Sequence, residues 1–297
     1  MLPSTARSWR MLGMLFAAGI SAIASRAAVA QPARAITDVT YATVDGQALR
    51  LDLAMPAGVP APALLVWVHG GAWRDGTKAS VPRQFAEHGI ATASLDFRQS
   101  TDARFPAMVH DIKAAIRFLR ANAGRYGYRA DRIAIGGNSS GAHLAALVGV
   151  TNGDARLEGT VGDALSQSSS VQAIVDYYGA SDLTTILAQS TPFGLNMRRP
   201  ALELLLGALP DQAEALARLA SPVFHVDRSD PPLFLLHGDR DPQMPINQAH
   251  ELQGAYEALG LDVSFDVVHG AAHGGDMFFL PEHLDRVLAF LHRTIGP

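Results

Sequence analysis

Asp131-Arg132-Ile133-Ala134-Ile135-Gly136-Gly137-Asn138-Ser139-Ser140-Gly141-Ala142 begins as a short apolar strand and runs straight into an apolar helix that continues to Val150. Such a passage predicts a sharp strand-to-helix turn that holds one serine in a strained conformation. Gly137 and Gly141 fit that turn because larger neighbouring side chains would collide there. A bare G-x-S-x-G also arises as a simple turn of small residues. Here both flanks are correct, and Ser139 is the candidate nucleophile.

Toward the N terminus, Ala63-Leu64-Leu65-Val66-Trp67-Val68 is a continuous apolar run, too short for a helix and typical of a strand buried on both faces. Before it, Leu49, Leu51 and Leu53 alternate with Ala48, Arg50 and Asp52 behind an Asp45-Gly46 turn, which predicts an antiparallel hairpin at a sheet edge. A Pro/Ala-rich connector, Pro56 to Pro62, separates the two. Ile90 to Phe97 reads as a strand, and Pro106 to Ala121 as a helix with Val109, Ile112, Ile116 and Leu119 at helical spacing. Further strands are expected at Val171–Tyr177, Pro232–Leu236 and Val263–Val268, and helices at Pro245–Leu259 and Pro281–Thr294. This alternation predicts a mostly parallel sheet with helices on both faces. Residues 179–221 interrupt it with amphipathic, Pro-containing segments and no strand, which we read as a small cap insertion over the site; the competing reading is a plain surface excursion.

The chain has 297 residues, 48% of them hydrophobic, enough for one large domain over residues 31–297. Its formal net charge of -4 is spread without a basic cluster, which argues against nucleic-acid or anionic-membrane partners. No cysteine is present, so disulfides, thiolate catalysis and thiolate metal sites are excluded. Residues 1–30 place Arg7 and Arg10 before the apolar stretch Met11–Ile23 and end in Ala28-Val29-Ala30, the pattern of a cleaved signal peptide. The stretch is short for a membrane anchor, which needs about 20 apolar residues. The expected location is periplasmic or secreted, without stable membrane association after cleavage.

A serine nucleophile needs a base, an acid behind the base, and donors for the oxyanion. His69-Gly70-Gly71-Ala72-Trp73 ends the first core strand, where loops at the carboxyl ends of parallel strands gather. The N-H groups of Gly71, Ala72 and Ser140 are the candidate oxyanion hole, and His69 is read as a brace for this loop. Trp73 is either a wall of the substrate pocket or loop packing. For the acid, Asp241 is preferred to Asp239 because it lies further along the turn, leaving Asp239 to order that turn's backbone. For the base, His273 in a glycine-flanked loop is preferred to His269, which directly continues a strand and reads as an edge or core residue. His110, His143, His250, His283 and His292 are read as ordinary helix residues. No histidine pair has metal-ligand spacing with a supporting acid, so no metal site is expected.

The sequence resembles the small esterases related to hormone-sensitive lipase and to the bifunctional feruloyl and acetyl xylan esterases. The resemblance spans most of residues 31–297. It rests on His69–Trp73, on Phe105-Pro106-Ala107 with Asp111 and Ala115, on Gly137–Ala145, on Ser221-Pro222 before Pro231-Pro232, and on His237–Pro245. Ala72 stands where many relatives carry a third glycine, and Ser140-Gly141-Ala142 replaces a commoner Ala-Gly-Gly. The resemblance implies an α/β-hydrolase fold and a serine carboxylesterase with Ser139, His273 and Asp241 as the triad, in the chain order Ser, Asp, His. It implies a small-molecule or polysaccharide-linked ester substrate, with acetyl or feruloyl groups as candidates, and no cofactor. An arylformamidase acting on N-formylkynurenine and a lipase or polyester hydrolase are alternatives on the same fold. A non-catalytic module would be expected to lack part of the set.

Overall fold

The computed structural model describes Met1 and residues 34–296; apart from Met1, the expected signal peptide and its cleavage site lie outside them. The Asp45-Gly46 turn joins strands β1 (Arg34–Val44) and β2 (Gln47–Met55), with φ of 50° and 82° at the two turn residues. Positive φ at both positions is what a tight hairpin of right-twisted strands requires. β2 pairs antiparallel with β4 (Ala91–Leu95), and from there the sheet is parallel: β4, β3 (Leu64–Val68), β5 (Ile133–Asn138), β6 (Ile174–Tyr177), β7 (Leu233–Gly238) and β8 (Val263–Val268). The expected alternation is therefore observed.

Every residue of β3 is buried, and successive side chains feed opposite layers. Leu64, Val66 and Val68 join the core formed with α2 (Ala107–Tyr126), α3 (Ser140–Gly149) and α8 (Asn247–Ala258). Leu65 and Trp67 join the core under α1 (Gln84–Glu87) and α9 (Pro281–Ile295). Helix α2 runs past the expected Ala121 to Tyr126 and stops where Gly127 takes φ of 93°, a left-handed cap that releases the chain. The short α4 (Ala155–Glu158) follows α3 and is capped by the Asp154 carboxylate, which accepts from the Arg156 N-H.

Residues 179–221 contain three helices and no strand: α5 (Ile186–Gln189), α6 (Pro192–Leu206) and α7 (Glu214–Leu219). Thr191 caps α6 through the Gly194 N-H and also donates to the Pro242 carbonyl at 2.7 Å. That contact pins the start of α6 to the turn that carries Asp241. The excursion thus shapes one wall of the site described next.

Candidate active site

The turn between β5 and α3 holds Ser139 at φ 55°, ψ -125°. A β-carbon on Gly137 would lie 2.5 Å from the Val68 carbonyl oxygen, and one on Gly141 would overlap the carbonyl oxygens of Val68 and His69. Both glycines are therefore sterically required by β3 next door. The strained serine is held by its own N-H donating to the Tyr177 carbonyl at 2.9 Å.

From this serine runs a chain of short hydrogen bonds. Ser139 Oγ lies 2.8 Å from His273 Nε2, and His273 Nδ1 lies 2.6 Å from Asp241 Oδ2. The other Asp241 oxygen accepts the N-H groups of Gln243 and Met244, each at 2.8 Å. Burial works to raise the Asp241 pKa, but donors from His237 and His273 and the Met244 N-H outweigh it and hold the carboxyl well below the usual range. A permanently ionised acid fixes Nδ1-H on His273 and leaves Nε2 free to accept the serine proton. The structure brings Ser139, Asp241 and His273 together as the sequence suggested.

The competing pair lies elsewhere and differs from expectation. His269 is exposed, not an edge or core residue, because β8 ends at Val268 and the chain turns outward. Its Nδ1 is 2.9 Å from Asp239 Oδ2, while Asp239 Oδ1 accepts the Gly270 N-H at 2.7 Å. Asp239 therefore orders the loop after β8 rather than its own turn.

Opposite Ser139, the His69–Trp73 loop doubles back tightly. Gly71 has φ of 127°, and a β-carbon there would overlap the Asp75 carbonyl; Ala72 and Trp73 follow at 53° and 59°. Two successive non-glycine residues in the left-handed region store strain at this loop. The N-H groups of Gly71, Ala72 and Ser140 have no acceptor among the described residues. His69 stacks on Phe97 at 4.7 Å and bonds the Gly70 carbonyl through Nδ1, and burial lowers its pKa, so it braces the loop as a neutral ring.

The BD-FAE family profile matches residues 51–256, more than half of the chain. The chain belongs to the BD-FAE family. It is 32% identical over 223 residues to the esterase LipC of Mycobacterium tuberculosis, covering 73% of this chain and 54% of LipC. A truncated carbohydrate esterase from gut microbiota superimposes with a TM-score of 0.79 at 30% identity, covering 88% of this chain and 95% of that one. A bifunctional GH43-CE protein of Bacteroides eggerthii gives 0.77 at 34% identity, covering 87% and 35%. The chain spans about half the length of the curated relatives it matches. The architecture is the α/β-hydrolase fold.

In this BD-FAE chain two unequal spaces meet at Ser139. One is a recess of about 30 Å³ walled by Trp73, Met197, Arg198, Ala201 and Met244. The other, about 340 Å³, is bordered by Gly71, Arg74, Asn138 and Tyr178. Asn138 and Tyr178 also border a trough of about 530 Å³ that extends over Arg83, Asp276 and Phe279. Trp73 is 3% exposed, packed in the core, and also lines the recess.

Four neighbours of the site escaped the sequence reading. Asn138 Oδ1 accepts the Gly70 N-H at 3.1 Å and ties the two loops together. Tyr178 packs edge-on against His273, 4.8 Å between ring centres. Its place just beyond the carboxyl end of β6 was the available signal. His143 accepts the Trp73 indole N-H at 3.0 Å and donates to the Ala220 carbonyl at 2.7 Å, joining the loop to the end of the excursion. Arg198, on α6, reaches Met244 Sδ at 3.2 Å and the Gln243 carbonyl. Nothing in the sequence marked it.

Proposed function

We propose that this protein is a serine carboxylesterase, with Ser139 as nucleophile, His273 as base and Asp241 as the acid that orients His273. The hydrogen-bond chain from Ser139 through His273 to a buried, ionised Asp241 is the observation that carries this reading. Esterase relatives and a carbohydrate-esterase neighbour support it. In the first step Ser139 Oγ attacks the ester carbonyl while its proton moves to His273 Nε2. The carbonyl oxygen gains charge facing the N-H groups of Gly71, Ala72 and Ser140. Collapse expels the alkoxide, which takes the proton from Nε2 and departs as alcohol. Water then gives a proton to Nε2 and attacks the acyl-enzyme, releasing the acid and restoring Ser139.

The alcohol must leave while the acyl group is still bound to Ser139. Only the larger, open space permits that, so the recess is the acyl side. A feruloyl group is too large for about 30 Å³, whereas a short acyl group such as acetyl suits it; the trough favours a bulky alcohol such as a sugar. Export through residues 1–30 belongs to the same proposal.

Purified protein is expected to hydrolyse p-nitrophenyl acetate and to react with a fluorophosphonate probe. Ser139→Ala should abolish labelling and lower kcat by about 10³-fold or more. An unchanged rate would overturn the proposal. Methyl ferulate turned over faster than acetyl esters would overturn the acyl assignment alone.

A further inference from the structure

We propose that Arg198 selects short acyl groups that end in a carboxylate, making half-esters of small dicarboxylic acids the preferred substrates. This rests on the esterase reading of Ser139 given above. Among the described residues three cationic side chains are buried: Lys113, Arg117 and Arg198. Lys113 and Arg117 share the Glu158 carboxylate at 2.8 and 3.0 Å. Arg198, 6% exposed, has no carboxylate oxygen within 4 Å among the described residues.

Among the described residues its Nη groups reach only neutral acceptors, the Gln243 carbonyl and Met244 Sδ, and its Nε-H has no acceptor. Asp241 acts on it only through space, opposing the effect of burial, and makes no ion pair with it: its Oδ1 accepts from Gln243 and Met244 and its Oδ2 from His273. A desolvated cation is costly to keep unless an anion meets it. Arg198 lines the recess beside Ser139, the side assigned to the acyl group. About 30 Å³ is room for roughly two waters, the size of the two oxygens of a carboxylate. A planar guanidinium is suited to such a group.

Arg198 also clamps the turn that carries Asp241, but a clamp on neutral acceptors acts on every substrate alike. The experiment compares two methyl esters of matched shape, monomethyl malonate and methyl 3-methylbutanoate, on wild-type protein and on Arg198→Met. Wild type is expected to favour the malonate half-ester in kcat/KM by about tenfold or more, with the substitution reversing that order. A wild-type preference for the neutral ester, or an equal loss on both esters in the variant, would overturn the proposal.

If Arg198→Met does not fold, inhibition of wild-type p-nitrophenyl acetate hydrolysis decides the matter. Stronger inhibition by malonate than by 3-methylbutanoate supports the assignment, and equal or weaker inhibition overturns it. Failure to hydrolyse p-nitrophenyl acetate at all would sink the esterase reading and this one with it.

Discussion

Asp241 accepts at both oxygens: two backbone N-H groups hold one, and His273 holds the other. Replacing it with Asn keeps the shape but offers an amide that can present N-H to His273 Nδ1, favouring the tautomer that cannot accept from Ser139. Asp241→Asn is expected to fold and bind the probe slowly, with kcat down by about 10³-fold or more, as in triad enzymes generally. A loss under tenfold would remove Asp241 from the mechanism. Ala72 offers a milder test. Its left-handed φ of 53° is strained for alanine, and the group proposed for the oxyanion is its N-H, not its methyl. Ala72→Gly should keep kcat within about threefold, with thermal stability changed by no more than ~1 kcal/mol, since relieved strain opposes added unfolded-chain entropy. The residues of the proposed triad were legible because each lies just beyond a strand that is itself legible. Arg198 was not, since its partners, Gln243 and Met244, are 45 and 46 positions away on another element.

At the level of elements, the His69–Trp73 loop, α3 and the end of the excursion are joined by one imidazole. His143 must be neutral to accept from Trp73, and burial pulls its pKa from 6.5 to about 4. Between those values the unfolded chain binds a proton that the folded protein refuses, so this site's stabilisation is complete above pH 6.5 and is lost as pH falls. The loss levels off near pH 4 at about 3 kcal/mol. Asp176 works in the opposite sense: burial pushes its pKa up to about 6, so the folded protein binds the extra proton between 6 and 3.8 and gains stability as pH falls. The two effects mask each other in wild-type protein alone. The stability difference between wild type and His143→Gln isolates the histidine, and it should shift against wild type by up to ~3 kcal/mol from pH 6.5 to 4. A flat difference would mean that His143 is not held neutral. The helical segments of the excursion were partly readable from amphipathic spacing, but this tie to Ala220 was not, because a single buried histidine on an all-apolar helix carries no sign of its partner.

For the whole molecule, the parallel α/β layering follows from a simple pattern: continuous apolar runs for strands buried on both faces, and helical spacing between them. The hairpin at the edge was legible for the complementary reason, since period-two alternation marks a strand with one wet face. What could not be read was the inequality of the two spaces at Ser139, which depends on how far α6 leans over the strand ends. The proposed export gives a final test at this scale. Residues 1–30 carry three arginines and no acid, so their removal takes the formal charge from -4 to about -7. A signal sequence is read by its positive end and apolar middle, and cut after small residues at its close; Ala28-Val29-Ala30 meets the last requirement. Expressed in a Gram-negative host, the full chain should appear in the periplasmic fraction with Gln31 as its first residue and active on p-nitrophenyl acetate. Replacing Ala28 and Ala30 with large residues should block cleavage and leave the uncut chain on the membrane. Full-length protein in the cytoplasm with its N terminus intact would overturn the export assignment while leaving the chemistry at Ser139 untouched.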